Sequence, residues 1–279
     1  MSALLIRLFA VVFMLIDHIA YVIGINTFDS VGLVDGWYVL RSVGRLALPL
    51  FAFLIANGFK YTRSIPKYAA RMLAFAIISE IPFDLMVSRE ISLVKWEGML
   101  PDVHFDNVFF TLFLGLVYLW LREIYKKKEI KFEKTLSSVT FIVLAFLATY
   151  ISADYGMLGV AWVALFGIFD VSDKKNIPML FAGAAFLAYW RLIARAILVV
   201  VYRITHVSLV TIPVVSYVFS GYSPMMSIIQ TFSLASLGFV LFYNQKSGMP
   251  KNRVANTVLK YAFYAFYPVH LLVLYLIFA

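Results

Sequence analysis

Apolar residues along this chain come in long blocks with sparse polar interruptions, with no sustained alternation. The first block, Ala3 to Ile25, is broken only by Arg7, Asp17 and His18 among ionisable groups. About 20 such residues cross the hydrocarbon core of a bilayer as one helix. The block is too long for a signal peptide, carries Asp17 and His18 where a signal is purely apolar, and is followed by no small-residue cleavage site. Further blocks at about 37 to 59, 68 to 88, 106 to 125, 135 to 152, 155 to 171, 177 to 202, 226 to 243 and 258 to 278 predict a total of nine spans. The fold class expected is all-α, a polytopic membrane bundle forming a single domain over residues 1–279.

Residues 203–225 are apolar but interrupted by Pro213, Gly221 and Pro224. Loop charge decides how to read them. The segments Lys60 to Lys67, Lys126 to Lys134, Asp173 to Lys175 and Gln245 to Arg253 are rich in Lys. The positive-inside rule makes these loops cytoplasmic, together with the amino terminus. A full tenth span would put residues 245–253 outside, so 203–225 are expected to be re-entrant or interfacial. Composition agrees with a membrane protein: 63% of the 279 residues are hydrophobic and 14% charged, too few polar groups to cover a water-soluble globule. In that setting the net charge of +9 points to cytoplasmic loops and anionic lipid, with no nucleic acid among the partners. Cysteine is absent, which excludes disulfides, thiolate metal sites and a Cys nucleophile. Four His with no HxxxH or HxH pair predict no metal site.

Ionisable groups at membrane depth mark functional sites by default, since a charge at the bilayer centre costs about 2.5–3.5 kcal/mol on insertion scales. Depth counted at about 1.5 Å per residue puts His18, Arg41, Arg45, Glu80, Asp84, Asn107, Asp154 and His270 at one external-half level. Six segments contribute them, and a shared polar cavity is expected, with Tyr155 beside Asp154 included in it. Simple pairing, for example Arg45 with Asp84, would satisfy the same charges without chemistry. The histidines are harder to dismiss, because imidazole is the side chain suited to moving a proton near neutral pH. Arg191, Arg195 and Arg203 are adequately explained by snorkelling to lipid phosphates. Arg7 and His18, eleven residues apart, share one stripe of the first helix through Val11 and Met14 and lie about 16 Å apart.

Six ordered blocks resemble the TraX family: MLIDHIA (14–20), GRLALPLFAFLIANGFKYTRS (44–64), KYAARMLAFAIISEIPFDL (67–85), DNVFFTLFLGL (106–116), ADYGMLGV (153–160) and KYAFYAFYPVHLL (260–272). That family is named for a conjugative-plasmid protein linked to acetylation of the pilin amino terminus. It is grouped with transmembrane acyltransferases, including acyltransferase-3 enzymes and heparan glucosaminide acetyltransferase. In acyltransferase-3 proteins a basic residue, ten residues and a His lie on the first helix, the spacing of Arg7 and His18 here.

The resemblance implies transfer of an acetyl or other acyl group from cytosolic acyl-CoA to an amine or hydroxyl at the external face, in a bacterial inner membrane. Under it, Arg7, Arg63, Lys67 and Arg71 hold the acetyl-CoA phosphates, with Lys60 and Lys260 also at that end. His18 acts as general base, Asp17 fixes or stabilises the imidazole, and Arg45 or His270 stabilises the oxyanion. A covalent acyl-imidazole is a variant of the same reading. The acceptor, a peptide or a glycan, is not identified by these residues. The competing class is a transporter or lipid flippase using the same cavity for passage, and a third is an assembly subunit without catalysis.

Overall fold

A computed structural model describes residues 1–87, 94–97, 100–206 and 224–278. Segment 203–225, expected to be re-entrant, falls for the most part outside the described residues. Helix α1 (Ala3–Ile23) starts at Ser2, whose hydroxyl accepts from Leu5 N–H at 3.3 Å. A short α2 (Ile25–Ser30) leads to α3 (Val34–Gly44) and α4 (Ala47–Tyr61). These two were expected as one helix over 37–59. The break at Arg45 and Leu46 comes four residues before Pro49, which has no N–H to return to the Arg45 carbonyl. Pro49 is tolerated in the first turn of α4, where such donors have no intrahelical partner.

Then follow α5 (Ile65–Val87), the antiparallel hairpin of β1 (Val94–Glu97) and β2 (Leu100–Val103), and α6 (Val108–Lys127). α7 (Glu133–Tyr150), α8 (Gly156–Ile168) and α9 (Ile177–Thr205) continue the bundle. The chain closes with α10 (Pro224–Thr231), a 3-10 turn at Phe232–Ala235, α11 (Ser236–Leu241) and α12 (Arg253–Phe278). Among the described residues the fold is thus helical apart from one hairpin.

Among the described residues five segments are long and apolar enough to cross a membrane: Ala3–Ile23, Val34–Tyr61, Val108–Lys127, Lys174–Thr205 and Arg253–Phe278. That is fewer than the nine expected, although helices stand at all nine positions. The difference has physical causes. α8 has 13 residues, about 20 Å of helix, against a hydrocarbon core of about 30 Å. α5 is long enough but carries Lys67, Arg71, Glu80 and Asp84.

α8 is instead sheathed by protein, with Val160, Trp162 and Val163 fully buried among α4, α6, α7 and α9. Gly115 lets α6 approach it, since a Cβ there would lie 2.7 Å from Val163 Cβ. Outward faces are apolar: Ile142, Val143 and Phe146 on α7, Ile197 and Val200 on α9, and Leu276 and Ile277 on α12 are exposed. Bare apolar helix faces of this extent belong in lipid, and the chain is an integral membrane protein.

Candidate functional site

Two cavities meet inside the bundle. The larger, about 350 Å³, opens toward the end of the bundle that carries the amino terminus. The smaller, about 30 Å³, lies toward the opposite end. Met14, Phe51, Val108 and Tyr267 line both and form the partition between them.

At the basic end, Arg7 (α1), Arg71 (α5) and Lys260 (α12) line the large cavity. None of the three has a carboxylate within ion-pair distance among the described residues. Aromatic rings take that place: Phe263 lies under Arg7 at 5.0 Å and Tyr68 under Arg71 at 5.8 Å. Among the described residues the only acceptor within hydrogen-bond reach of Arg7 is the weak thioether of Met249, at 3.8 Å, and Nε of Arg71 is buried with no partner among them.

Met249 belongs to the irregular segment 244–252, which is strapped to the start of α1. Ala3 N–H and Leu4 N–H donate to the Lys246 and Ser247 carbonyls at 2.8 and 2.9 Å. Toward the partition the walls turn apolar, with Val11, Leu54, Ile55 and Leu112. Arg63, between α4 and α5, and Lys67, in the first turn of α5, also expected at an anion site, are exposed and line neither cavity. Lys60 is turned away as well, onto Asp170.

Beside the partition, Nδ1 of His18 (α1), which lines the small cavity, lies 2.7 Å from Nε2 of His270 (α12), which lines neither, and Nδ1 of His270 lies 2.9 Å from the Phe266 carbonyl. The ring planes differ by 2° with centroids 5.0 Å apart. Tyr267 packs edge-on against both imidazoles. Asp17, assigned to the His18 imidazole under the family resemblance, is turned instead to the arginines of the neighbouring helix. Its Oδ2 is 2.7 Å from Arg41 Nη1 and its Oδ1 is 3.8 Å from Arg45 Nη2.

Arg45 also donates to the Tyr155 hydroxyl at 2.9 Å, so its guanidinium is occupied by Asp17 and Tyr155 rather than open to an oxyanion. The Arg45–Asp84 pairing weighed from the sequence does not form. Room for Asp17 is made by Gly44: a Cβ there would overlap its carboxylate. Asp154 and Tyr155 join His18 and Asp17 in lining the small cavity. They are held by a tight turn in which Tyr155 has φ 63° and Asp154 N–H donates to the Asp106 carbonyl at 2.8 Å.

Glu80, Asp84 and Asn107 do not line either cavity, a correction to their expected place beside the histidines. The Glu80 carboxylate accepts from Asp106 N–H at 2.7 Å and from the Asn107 amide, which also donates to the Ala76 carbonyl at 2.8 Å. Asn107 Oδ1 caps α6, accepting from Phe109 N–H at 3.0 Å. These groups anchor α6 on α5. Residues that the sequence reading passed over are Tyr68, Tyr264 and Tyr267. The signal was the spacing of Lys260, Tyr264 and Tyr267 before His270, steps of three and four that make one helical stripe.

Among solved structures none matches this chain. A protein described as probable fimbrial assembly protein FimC, serogroup H1, from Dichelobacter nodosus is 28% identical over 283 residues, covering 98% of this chain and 94% of that protein. The sequence pattern of the TraX protein family matches residues 2–278. This integral membrane protein, with its paired cavities and hydrogen-bonded histidines, belongs to the TraX family.

Proposed function

We propose that the protein is a membrane acyltransferase that moves an acetyl or other short acyl group from acyl-CoA at the basic end to an amine or hydroxyl at the opposite end. The observation that carries this reading is the meeting of two cavities of unequal size beside a histidine pair, whose His18 lines the smaller one. One is large and carries three cations with no carboxylate at ion-pair distance among the described residues; the other is small and sets Asp17, His18, Asp154 and Tyr155 in an otherwise largely apolar wall. A transporter reading is less well supported, because the partition side chains divide the path where a passage would be continuous. Membership of TraX and the fimbrial name of the Dichelobacter relative favour an exported peptide, such as a pilin amino terminus, as acceptor.

In this reading Arg7, Arg71 and Lys260 hold the phosphates of the donor by charge-assisted hydrogen bonds. Val11, Leu54, Ile55 and Leu112 line the way for its arm to the partition. The span from Arg7 to His18, about 16 Å along α1, sets the distance between the phosphate site and the reacting carbonyl. Asp154 and Tyr155 orient the acceptor from the far side. His18 takes a proton from the attacking nitrogen or oxygen and returns it to the leaving thiolate. The amino terminus and the basic loops then lie on the cytosolic side, where acyl-CoA is made.

The test is acetyl-CoA binding to the detergent-solubilised protein, read as a rise in unfolding temperature, followed by CoA release on addition of amine or peptide acceptors. Ligand at 100 times its dissociation constant adds about 2.7 kcal/mol of stability. A saturable rise, and loss of CoA release in His18→Ala with binding retained, is the expected result. No rise at millimolar acetyl-CoA in folded protein, or full transfer by His18→Ala, overturns the reading, and flux into sealed liposomes becomes the next measurement.

A further inference from the structure

The hydrogen bonds of the histidine pair fix where its protons sit. A carbonyl oxygen only accepts, so Nδ1 of His270, 2.9 Å from the Phe266 carbonyl, carries a proton. In a neutral ring Nε2 of His270 is then an acceptor, and the contact at 2.7 Å requires the proton on Nδ1 of His18. The reverse arrangement would need a doubly protonated, cationic His270. That ring is only 6% exposed and has no carboxylate within ion-pair distance among the described residues.

Ring geometry agrees. Parallel planes with centroids 5.0 Å apart and nitrogens 2.7 Å apart describe two imidazoles meeting edge to edge in one plane, as an in-plane N–H···N bond demands. Nε2 of His18 keeps its lone pair and has no hydrogen-bond partner among the described residues.

We infer that His270 is a positioning residue: through Phe266 it locks His18 in the Nδ1–H tautomer and leaves Nε2 as the basic nitrogen. This rests on His18 serving as the base of acyl transfer. The proton of the acceptor N–H or O–H passes to Nε2 as the new bond to the acyl carbon forms. The C–S bond of the thioester breaks, and the same proton goes to the thiolate sulfur. Throughout, the Nδ1 proton of His18 stays on the hydrogen bond to His270. The role differs from that of an oxyanion donor, because both nitrogens of His270 are already engaged.

Nitrogen-15 NMR of histidine-labelled protein, at mildly alkaline pH where imidazole is neutral, reads the tautomer without turnover. His18→Ala and His270→Gln spectra assign the two rings. The expected spectrum has His18 protonated at Nδ1 and bare at Nε2. In His270→Leu this preference is lost, and kcat falls about 100-fold with KM for acetyl-CoA within about twofold. His270→Gln, whose amide oxygen can replace Nε2 as acceptor, recovers much of kcat. A wild-type His18 protonated at Nε2, or an unchanged tautomer in folded His270→Leu, overturns the inference. Should His270→Leu not fold, the wild-type spectrum and the Gln variant still decide. Full transfer by His18→Ala would remove the base reading while leaving the tautomer measurement intact, so the two failures are distinguishable.

Discussion

Gly44 and Asp17 show how closely a single position controls the polar end of the site. Because any side chain at 44 overlaps the Asp17 carboxylate, Gly44→Ala must push Asp17 off Arg41 or part α1 from α3. Overpacking of this kind costs about 1–3 kcal/mol, and the thermal midpoint of the solubilised protein is expected to fall accordingly. Acyl transfer should fall with it, since Arg45 holds Asp17 and Tyr155 together.

Among the cations, Arg7→Ala and Arg71→Ala are expected to weaken acetyl-CoA binding at least tenfold each, as the loss of a charge-assisted hydrogen bond implies. Arg63→Ala and Lys67→Ala, exposed and outside both cavities, should leave it within about twofold; thermal-shift titration of the four variants checks the division. At this scale the sequence was legible in depth but not in partnership. A rise of about 1.5 Å per residue placed His18, Arg41, Arg45, Asp154 and His270 at one level. Which helices are neighbours is set by packing of whole faces, so Asp17 with Arg41, and His18 with His270, could not be read from spacing.

The elements add constraints of their own. The α3–α4 break was legible in principle from Pro49, but the apolar stretches on either side of it together have the length of one span and hide it. α6 starts where Asn107 supplies a cap and Glu80 receives both the Asn107 amide and Asp106 N–H. Asn107→Ala is expected to cost about 1–2 kcal/mol of stability through the lost cap, with Glu80 left short of a donor. That side of the bundle also sets Val108 in the partition, so the variant should impair transfer beyond its effect on folding. A melting curve and a CoA-release assay on the same preparation separate the two effects. Glu80 and Asn107 looked like cavity residues because depth alone cannot separate a group lining a cavity from one tying two helices together.

On the scale of the whole molecule, the segments rich in Lys gather at the end that holds the strap over the amino terminus. There Lys60 of α4 pairs with Asp170 after α8. Partial burial pushes the Asp170 carboxyl up, but hydrogen bonds from Lys60 and Ser172 outweigh it and hold the group below the usual carboxylate range. A carboxyl so held adds stability above its unfolded-state pKa, and the increment is lost as pH falls through the folded value. Both groups are nearly half exposed, so Lys60→Ala should change stability by under about 0.5 kcal/mol, with the difference from wild type vanishing in acid. Unfolding curves at neutral pH and at pH below the carboxylate range check this.

The histidine pair joins α1 to α12, residues 252 apart in the chain. In a protein made and inserted from its amino terminus, His18 enters the membrane among the first residues. It must wait for nearly the whole chain to follow before it meets the ring that orients it. Until then no imidazole receives its Nδ1 proton, either tautomer is free to form, and the large cavity lacks the wall that carries Lys260 and Tyr264. Under the proposed function, reactivity is thereby tied to completed assembly: a chain stalled or clipped before Arg253 would sit in the membrane with the base present but not held in its working tautomer, and would discharge thioesters only slowly.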